Sequence, residues 1–404
     1  MTSAAPRRMR FGMFLPPFHH VPQNPTRLLQ RDLETIELIE RLGFEEAWVG
    51  EHHSGGFEMI GSNEVFLSAA AARTSRIRLG LGAVSLPYHN PFMVATRAVL
   101  LDHLSFGRVI LGVGPGSLPH DAAMLGIKMS ETRSMMREAW DVVHHLITSP
   151  EPITAKSSWY TLDDAILQLR PYSEPTMDFA FTAMESPFGP SMAGRYGAGL
   201  VSIAATTARG FAALDRHWGV VEEQAASTGR AADRATWRIA APIHVAETRE
   251  QARREVMHGF PRYVEYAATV AGRDFAWMEP EAGTRPPQTI EEILSFVCDD
   301  VKFACIGTPD DAAEFISRLV DRSGGFGCLL INHTDWASPE ATSRSLEMFA
   351  TEVMPRFQGS LEPIYGTMRR SAATREQALR DQRESINTAT ADYVAAGGQD
   401  VRAE

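Results

Sequence analysis

The chain has 404 residues, 44% of them hydrophobic and 22% charged, enough to bury a large core without disulfide or metal staples. Its formal net charge of −11 argues against nucleic acid or an anionic membrane surface as partner, because phosphate attracts Lys and Arg, and favours a small apolar one. Three widely spaced cysteines, Cys298, Cys305 and Cys328, exclude a disulfide framework or a CxxC metal or redox site, so a reducing cytoplasm is the expected location.

Residues 1–8 carry positive charge but lead into no apolar segment, and read as a disordered leader. No run reaches the roughly 18 apolar residues of a membrane span. From Arg10 to Leu15 a short apolar run reads as a buried strand. A helix follows from about Arg27 to Leu42, with Leu29, Leu33, Ile36, Ile39 and Leu42 on one stripe and Gly43 at its end. The unit returns as Ala47-Trp48-Val49 with a helix over 63–73, as Ile77 to Leu86 with a helix over 91–103, and as Arg108 to Val113 with a helix over 131–147. Residues 151–175 form an excursion in which Trp159-Tyr160 and Ile166-Leu167-Gln168-Leu169 read as the strands of an inserted hairpin. Units resume at 178–183, 200–204 and 238–245, with helices from Pro187, Thr207 and Thr248. A Pro- and acid-rich insertion over 271–305, with one helix at 290–297, delays the last unit: a helix over 308–322, the strand Phe326 to Asn332 and a closing helix over 339–354.

Strands that are apolar throughout, each followed by a helix, mean a parallel sheet covered by helices, and eight is the number that closes into a (β/α)8 TIM barrel. A doubly wound open sheet is the alternative. The barrel is expected over 9–358, with insertions after strand four and before strand eight. Residues 359–404, weakly periodic, read as a helical or disordered tail.

In such a barrel chemistry sits at the C-terminal ends of the strands. After strand two comes Gly50-Glu51-His52-His53-Ser54-Gly55-Gly56. An imidazole there exchanges protons near neutral pH, although ordinary packing also accounts for such residues. A metal reading of Glu51 and both histidines is weaker, because adjacent residues do not easily face one ion. Strand three, Gly80-Leu81-Gly82-Ala83-Val84, is stripped of bulk, which suits either a flat ring against the backbone or a bend at the rim. Gly112-Val113-Gly114-Pro115-Gly116 lacks GxGxxG spacing and suggests only a backbone-lined pocket. After strand five, Met184-Glu185-Ser186-Pro187 places Ser186 at the N-cap and Pro187 in the first helical turn, which is either an ordinary cap or an anion site.

At these residues the sequence resembles the bacterial luciferase-like flavin monooxygenase family. The marks are Arg10-Phe11-Gly12, Leu42-Gly43-Phe44-Glu45-Glu46-Ala47-Trp48, Glu51-His52-His53, the run from Arg73 to Gly80 and the run from Leu101 to Arg108. Within the family it is most similar to the limonene hydroxylase type, through the runs Ser85 to Pro91, Gly112 to Gly116, Gly324 to Gly327 and Asp335 to Ala337.

The resemblance implies reduced FMN delivered by a separate flavin reductase, reacting with O2 to give a C4a-hydroperoxyflavin. That species would hydroxylate, epoxidise or insert oxygen into a lipophilic terpenoid or polyketide. The resemblance also implies His52 beside the reactive flavin face, a cis peptide between Gly82 and Ala83 under the ring, and Met184, Glu185, Ser186 and Gly189 around the phosphate. Where light-emitting members carry a reactive cysteine and a phosphate-binding arginine, this chain has Gly114 and Pro115, and Gly189 replaces a hydroxyl residue. Light emission is therefore not expected, and Arg133 is the candidate cation for the phosphate. Phe18, Phe57 and Trp336 are expected to line an apolar substrate pocket or to pack its rim. A homodimer is expected and no metal. A deazaflavin-dependent dehydrogenase or reductase of the same superfamily, and a non-catalytic flavin-binding partner subunit, are the alternatives.

Overall fold

Eight parallel strands carry the fold: β1 (Arg10–Leu15), β2 (Glu46–Val49), β3 (Arg78–Leu81), β4 (Val109–Gly114), β5 (Asp178–Ala183), β6 (Gly199–Ser202), β7 (Trp237–Ala241) and β8 (Cys328–Asn332). Each pairs in parallel with the next, and β8 pairs back onto β1 with Gly12 opposite Leu330, so the sheet closes and the open doubly wound alternative falls. This computed structural model describes residues 8–16, 18–19, 23–270 and 287–399. Most of the leader and residues 271–286 of the acidic insertion lie outside them.

Local chemistry accounts for the outer ring. The helix Pro25–Arg41 starts where the Asn24 side chain accepts the Arg27 N–H at 3.2 Å and proline takes the first turn. It lays Leu28, Leu33, Ile36 and Ile39 against the sheet. Ile36 and Ile39 are fully buried, worth roughly 1.5–3 kcal/mol each in apolar transfer.

Inside the barrel, Phe14, Trp48, Ile110, Val201 and Leu330 pack as one cluster. A Cβ on Gly80 would lie 2.1 Å from Trp48 Cδ2, and one on Gly112 would lie 2.7 Å from Trp48 Cζ3. Those glycines therefore make room for the Trp48 indole, and Gly80 is not a bare surface for a ligand. At the N-terminal end of the barrel the buried Glu46 carboxylate accepts Arg238 Nε at 2.6 Å and Arg238 Nη2 at 3.0 Å, with Trp48 Nε1 at 2.8 Å and Arg10 Nη1 3.4 Å away. Burial pushes the Glu46 carboxyl up, but the Arg238 charge and hydrogen bonds outweigh it and hold it at about 2.

Several boundaries differ from expectation. The run 77–86 breaks after Leu81 at the cis Gly82–Ala83 peptide, and Val84–Ser85 re-pairs with β4. The run 238–245 divides: Ile243–Val245 leaves the barrel and pairs with Cys305–Gly307, a three-residue strand too short to register as a pattern. The inserted hairpin pairs Ile153–Lys156 with Thr161–Ala165, so Trp159-Tyr160 forms its turn and Ile166–Leu169 lies beyond it. By its own contacts the chain divides after Phe357. In the second unit, residues 362–395 form one helix of which no residue is buried. Among the described residues no helix is long and apolar enough to cross a membrane.

Candidate active site

A cavity of about 560 Å³ opens at the C-terminal mouth of the barrel, within the roughly 300–1,000 Å³ typical of ligand sites. Its wall takes Phe14 from β1, Gly50 to His52 after β2, Gly82 and Ala83 after β3, Gly114 to Leu118 from β4 onward, Ala183 to Ser186 after β5, Ile203 and Ala204 after β6, and Asn332 and Thr334 from β8.

The loop after β2 sends neighbouring side chains to different partners. Glu51 and His53 turn together: His53 Nε2 donates to Glu51 Oε1 at 2.8 Å, His89 Nε2 donates to the same oxygen at 2.6 Å, and the Ser85 N–H donates to Oε2 at 3.1 Å. Burial raises the Glu51 carboxyl, but the donors from His53 and His89 prevail and hold it at about 2. The Glu51, His53 and His89 donor atoms all lie within 4.8 Å of one another, a spacing open to a cation. However, Arg97 Nη2 lies 3.4 Å from His89 Nδ1, which places that ring's proton on Nε2, toward Glu51. The triangle is thus a hydrogen-bonded brace for the loop. The residues weighed as ligands from the sequence, Glu51, His52 and His53, do not converge, because His52 faces away.

His52 sits between two other carboxylates. Its Nδ1 lies 3.0 Å from Asp121 Oδ2 and its Nε2 lies 3.6 Å from Glu58 Oε2. Asp121, on the short helix Pro119–Met124, also accepts the Ser54 hydroxyl at 2.5 Å and the His53 N–H at 3.1 Å. Burial opposes charge on the His52 ring, yet Glu58 and Asp121 outweigh it and raise its pKa above the ordinary histidine value.

The opposite wall is bare backbone. A Cβ on Gly82 would lie 3.0 Å from the Phe14 ring, and one on Gly114 would lie 2.7 Å from Thr182 Oγ1 and 3.4 Å from Ala83 Cβ. At Gly189 the space is tighter still: a Cβ there would lie 2.2 Å from the Thr182 carbonyl, so helix-to-strand packing requires glycine. The helix Phe188–Tyr196 starts one residue later than expected, with Pro187 at its N-cap and no side-chain cap, so Ser186 is not the capping residue and stands on the cavity wall. Met184, Glu185 and Gly189 also line the cavity, as does Arg133 of the helix Thr132–Thr148. Glu185 lies 4.0 Å from Arg209.

The remaining end is aromatic. Phe18 stacks on Phe57 at 5.5 Å and meets Tyr263 and Tyr266 edge-on at 5.6 and 5.1 Å. Phe18 and both tyrosines line the cavity, while Phe57 backs them. The Tyr266 hydroxyl donates to Glu58 Oε2 at 2.7 Å. Trp336 does not reach this space. It is 4% exposed and packs against Phe260 and Tyr263 in a separate cluster. Asp121, Glu58, Tyr263 and Tyr266 were not singled out from the sequence. Only Glu58 left a signal, as a carboxylate between Phe57 and Met59 in the loop that carries His52.

Comparison with known proteins gives this geometry a context. The sequence profile described as luciferase-like monooxygenase matches residues 9–324. Limonene 1,2-monooxygenase of Rhodococcus erythropolis is 46% identical over 356 residues, 88% of this chain and 88% of that protein. The 4-hydroxyprotoasukamycin monooxygenase of Streptomyces nodosus subsp. asukaensis is 43% identical over 92% of this chain and all of that one. Among solved structures, the oxygenating constituent of 3,6-diketocamphane monooxygenase from Pseudomonas putida, a type II Baeyer–Villiger monooxygenase in complex with FMN, superposes with a TM-score of 0.71 at 25% identity, covering 87% of this chain and 99% of that one.

Proposed function

The chain belongs to the luciferase-like monooxygenase family, and on that premise we propose that it is the oxygenating component of a two-component system that uses reduced FMN and O2. A separate flavin reductase supplies the reduced cofactor, and the product is an oxygenated lipophilic small molecule of the terpenoid or polyketide class. One observation carries the reading: a single cavity is lined by Gly82 and Ala83, the Arg133 cation and the half-buried His52.

The residues present fit a flavin. A planar ring would lie along Gly82, Ala83 and Gly114, which line the cavity together. The phosphate would take the Ser186 hydroxyl, first-turn N–H groups near Gly189 and the Arg133 guanidinium, with Met184 and Glu185 contributing backbone. Reduced flavin supplies the reaction with oxygen, and the protein supplies orientation and exclusion of water. His52 holds or moves a proton at Nε2, the nitrogen not engaged by Asp121. Phe18, Tyr263 and Tyr266, with Phe57 behind, form the apolar surface for the substrate. Relatives named for limonene and diketocamphane support a terpenoid-sized molecule.

The test is to incubate the enzyme with FMN, a flavin reductase, NADH, ¹⁸O2 and a panel of cyclic terpenes and polyketides, and to read products by mass spectrometry. One labelled oxygen per product molecule is expected. Turnover with a reduced deazaflavin and no label would overturn the reading in favour of hydride transfer.

A further inference from the structure

Glu58 is 7% exposed, yet it stands where the aromatic end of the cavity meets His52. Its backbone is fixed by an antiparallel bridge to Phe18, with the His19 N–H donating to the Phe57 carbonyl at 2.8 Å, so the carboxylate has a defined origin. The same oxygen, Oε2, accepts the Tyr266 hydroxyl at 2.7 Å and faces His52 Nε2 at 3.6 Å. That second distance is too long for a hydrogen bond but short enough for strong attraction between opposite charges in a partly desolvated site.

We propose that Glu58, held in place by the Tyr266 hydroxyl, is a positioning residue that sets the protonation of His52. The inference rests on the proposed function only in taking His52 as the proton-handling group. Asp121 engages Nδ1 and fixes which way the ring faces, leaving Nε2 toward the cavity. Glu58 then decides how readily Nε2 keeps a proton, with Glu51 and His53 as the other titratable groups bearing on the ring. Tyr266 holds the oxygen that faces Nε2 and so keeps the carboxylate beside the ring. Because Tyr266 belongs to the helix Phe260–Thr269 and lines the aromatic end of the cavity, the surface assigned to substrate is joined to His52 through one carboxylate.

Two substitutions are expected to act in the same direction and in a fixed order, which a merely structural role for either residue would not produce. Glu58→Gln keeps the shape and removes the charge, so the His52 proton is held less tightly. Tyr266→Phe removes the hydroxyl that holds Oε2 and leaves the charge, so the proton is loosened less than in Glu58→Gln.

The experiment uses the full chain, without flavin, labelled with ¹³Cε1-histidine, the His52 resonance being identified by its loss in His52→Gln. Titration between about pH 5 and pH 9 should show the His52 midpoint falling by about one unit in Glu58→Gln and by less in Tyr266→Phe, with Glu58→Asp between wild type and Glu58→Gln. An unchanged midpoint in Glu58→Gln or in Tyr266→Phe, or a rise in either, would overturn the proposal. If Glu58→Gln does not fold, Glu58→Asp decides alone, and a midpoint unchanged or raised in it would overturn the proposal. The titration needs no turnover, so absence of ¹⁸O from products would remove the functional reading while leaving this result to stand or fall by itself.

Discussion

Asp121 meets His52 from 69 residues away, its Oδ2 3.0 Å from Nδ1, and fixes the ring so that only Nε2 faces the cavity. Each group supports charge on the other: burial raises the Asp121 carboxyl, but His52 and Ser54 outweigh it and lower its pKa, while His52 is raised. Asp121→Asn keeps the size and removes a hydrogen bond to a charged partner worth roughly 1.5–3 kcal/mol. Product formation should fall by roughly 10- to 150-fold at unchanged FMN affinity. The raised His52 value also sets a sign. Its stabilising contribution is complete below about pH 6.5 and is lost as pH rises through the higher folded value, and in Asp121→Asn that loss should begin at lower pH. Thermal midpoints measured across this range check it.

Glu46 and Arg238 pair with almost no access to solvent, at the end of the barrel away from the cavity. Replacing Glu46 by Gln leaves the Arg238 charge buried without its counter-charge and should cost about 3–5 kcal/mol of stability. The Glu46 carboxyl is held at about 2 against an ordinary 4.5. Its contribution is therefore present above pH 4.5 and is lost as pH falls from there toward 2. Denaturant unfolding at neutral pH and at about pH 3 should show the difference between wild type and Glu46→Gln shrinking with acid. FMN binding at neutral pH should be preserved in Glu46→Gln wherever the protein is folded.

Trp48 occupies the barrel interior because Gly80 has no side chain. Gly80→Ala would place a methyl 2.1 Å from the indole, an overpacking that should cost roughly 1–3 kcal/mol or more. The thermal midpoint should fall, and Trp48→Phe added to Gly80→Ala should recover part of the loss. A wild-type midpoint in Gly80→Ala would contradict the packing described.

How far the sequence discloses this follows from what each feature rests on. The strand from Val109 to Gly114 is legible because it is buried on both faces and so apolar throughout. The hairpin strands are not: Thr161-Leu-Asp-Asp-Ala is largely exposed, and the aromatic pair Trp159-Tyr160 imitates a strand while forming the turn. His52, Gly82 and Ser186 stand out because they follow strands and match a family motif. Asp121 and Tyr266 do not, because they arrive from distant helices that only tertiary packing brings to His52 and Glu58. Trp336 misleads for a related reason, since a position after the last strand does not say which way an indole turns.

Arg133 separates cofactor recognition from ring recognition. If it meets the FMN phosphate, Arg133→Ala should weaken FMN binding by roughly 10- to 150-fold, the equivalent of a charged hydrogen bond, and leave riboflavin binding unchanged. Fluorescence titration with the two flavins distinguishes the cases. Equal losses for both would place Arg133 away from the phosphate.

On the proposed function, oxygenation occurs in the barrel-mouth cavity with His52 handling a proton. A single-turnover comparison tests it most directly: wild type and His52→Ala, each loaded with reduced FMN and an accepted terpene, are mixed with O2, and product is counted per flavin. The expected result is a loss of about 10²- to 10⁴-fold in the rate of product formation at FMN affinity like that of wild type. Equal rates from the two proteins, with FMN bound equally well, would contradict it.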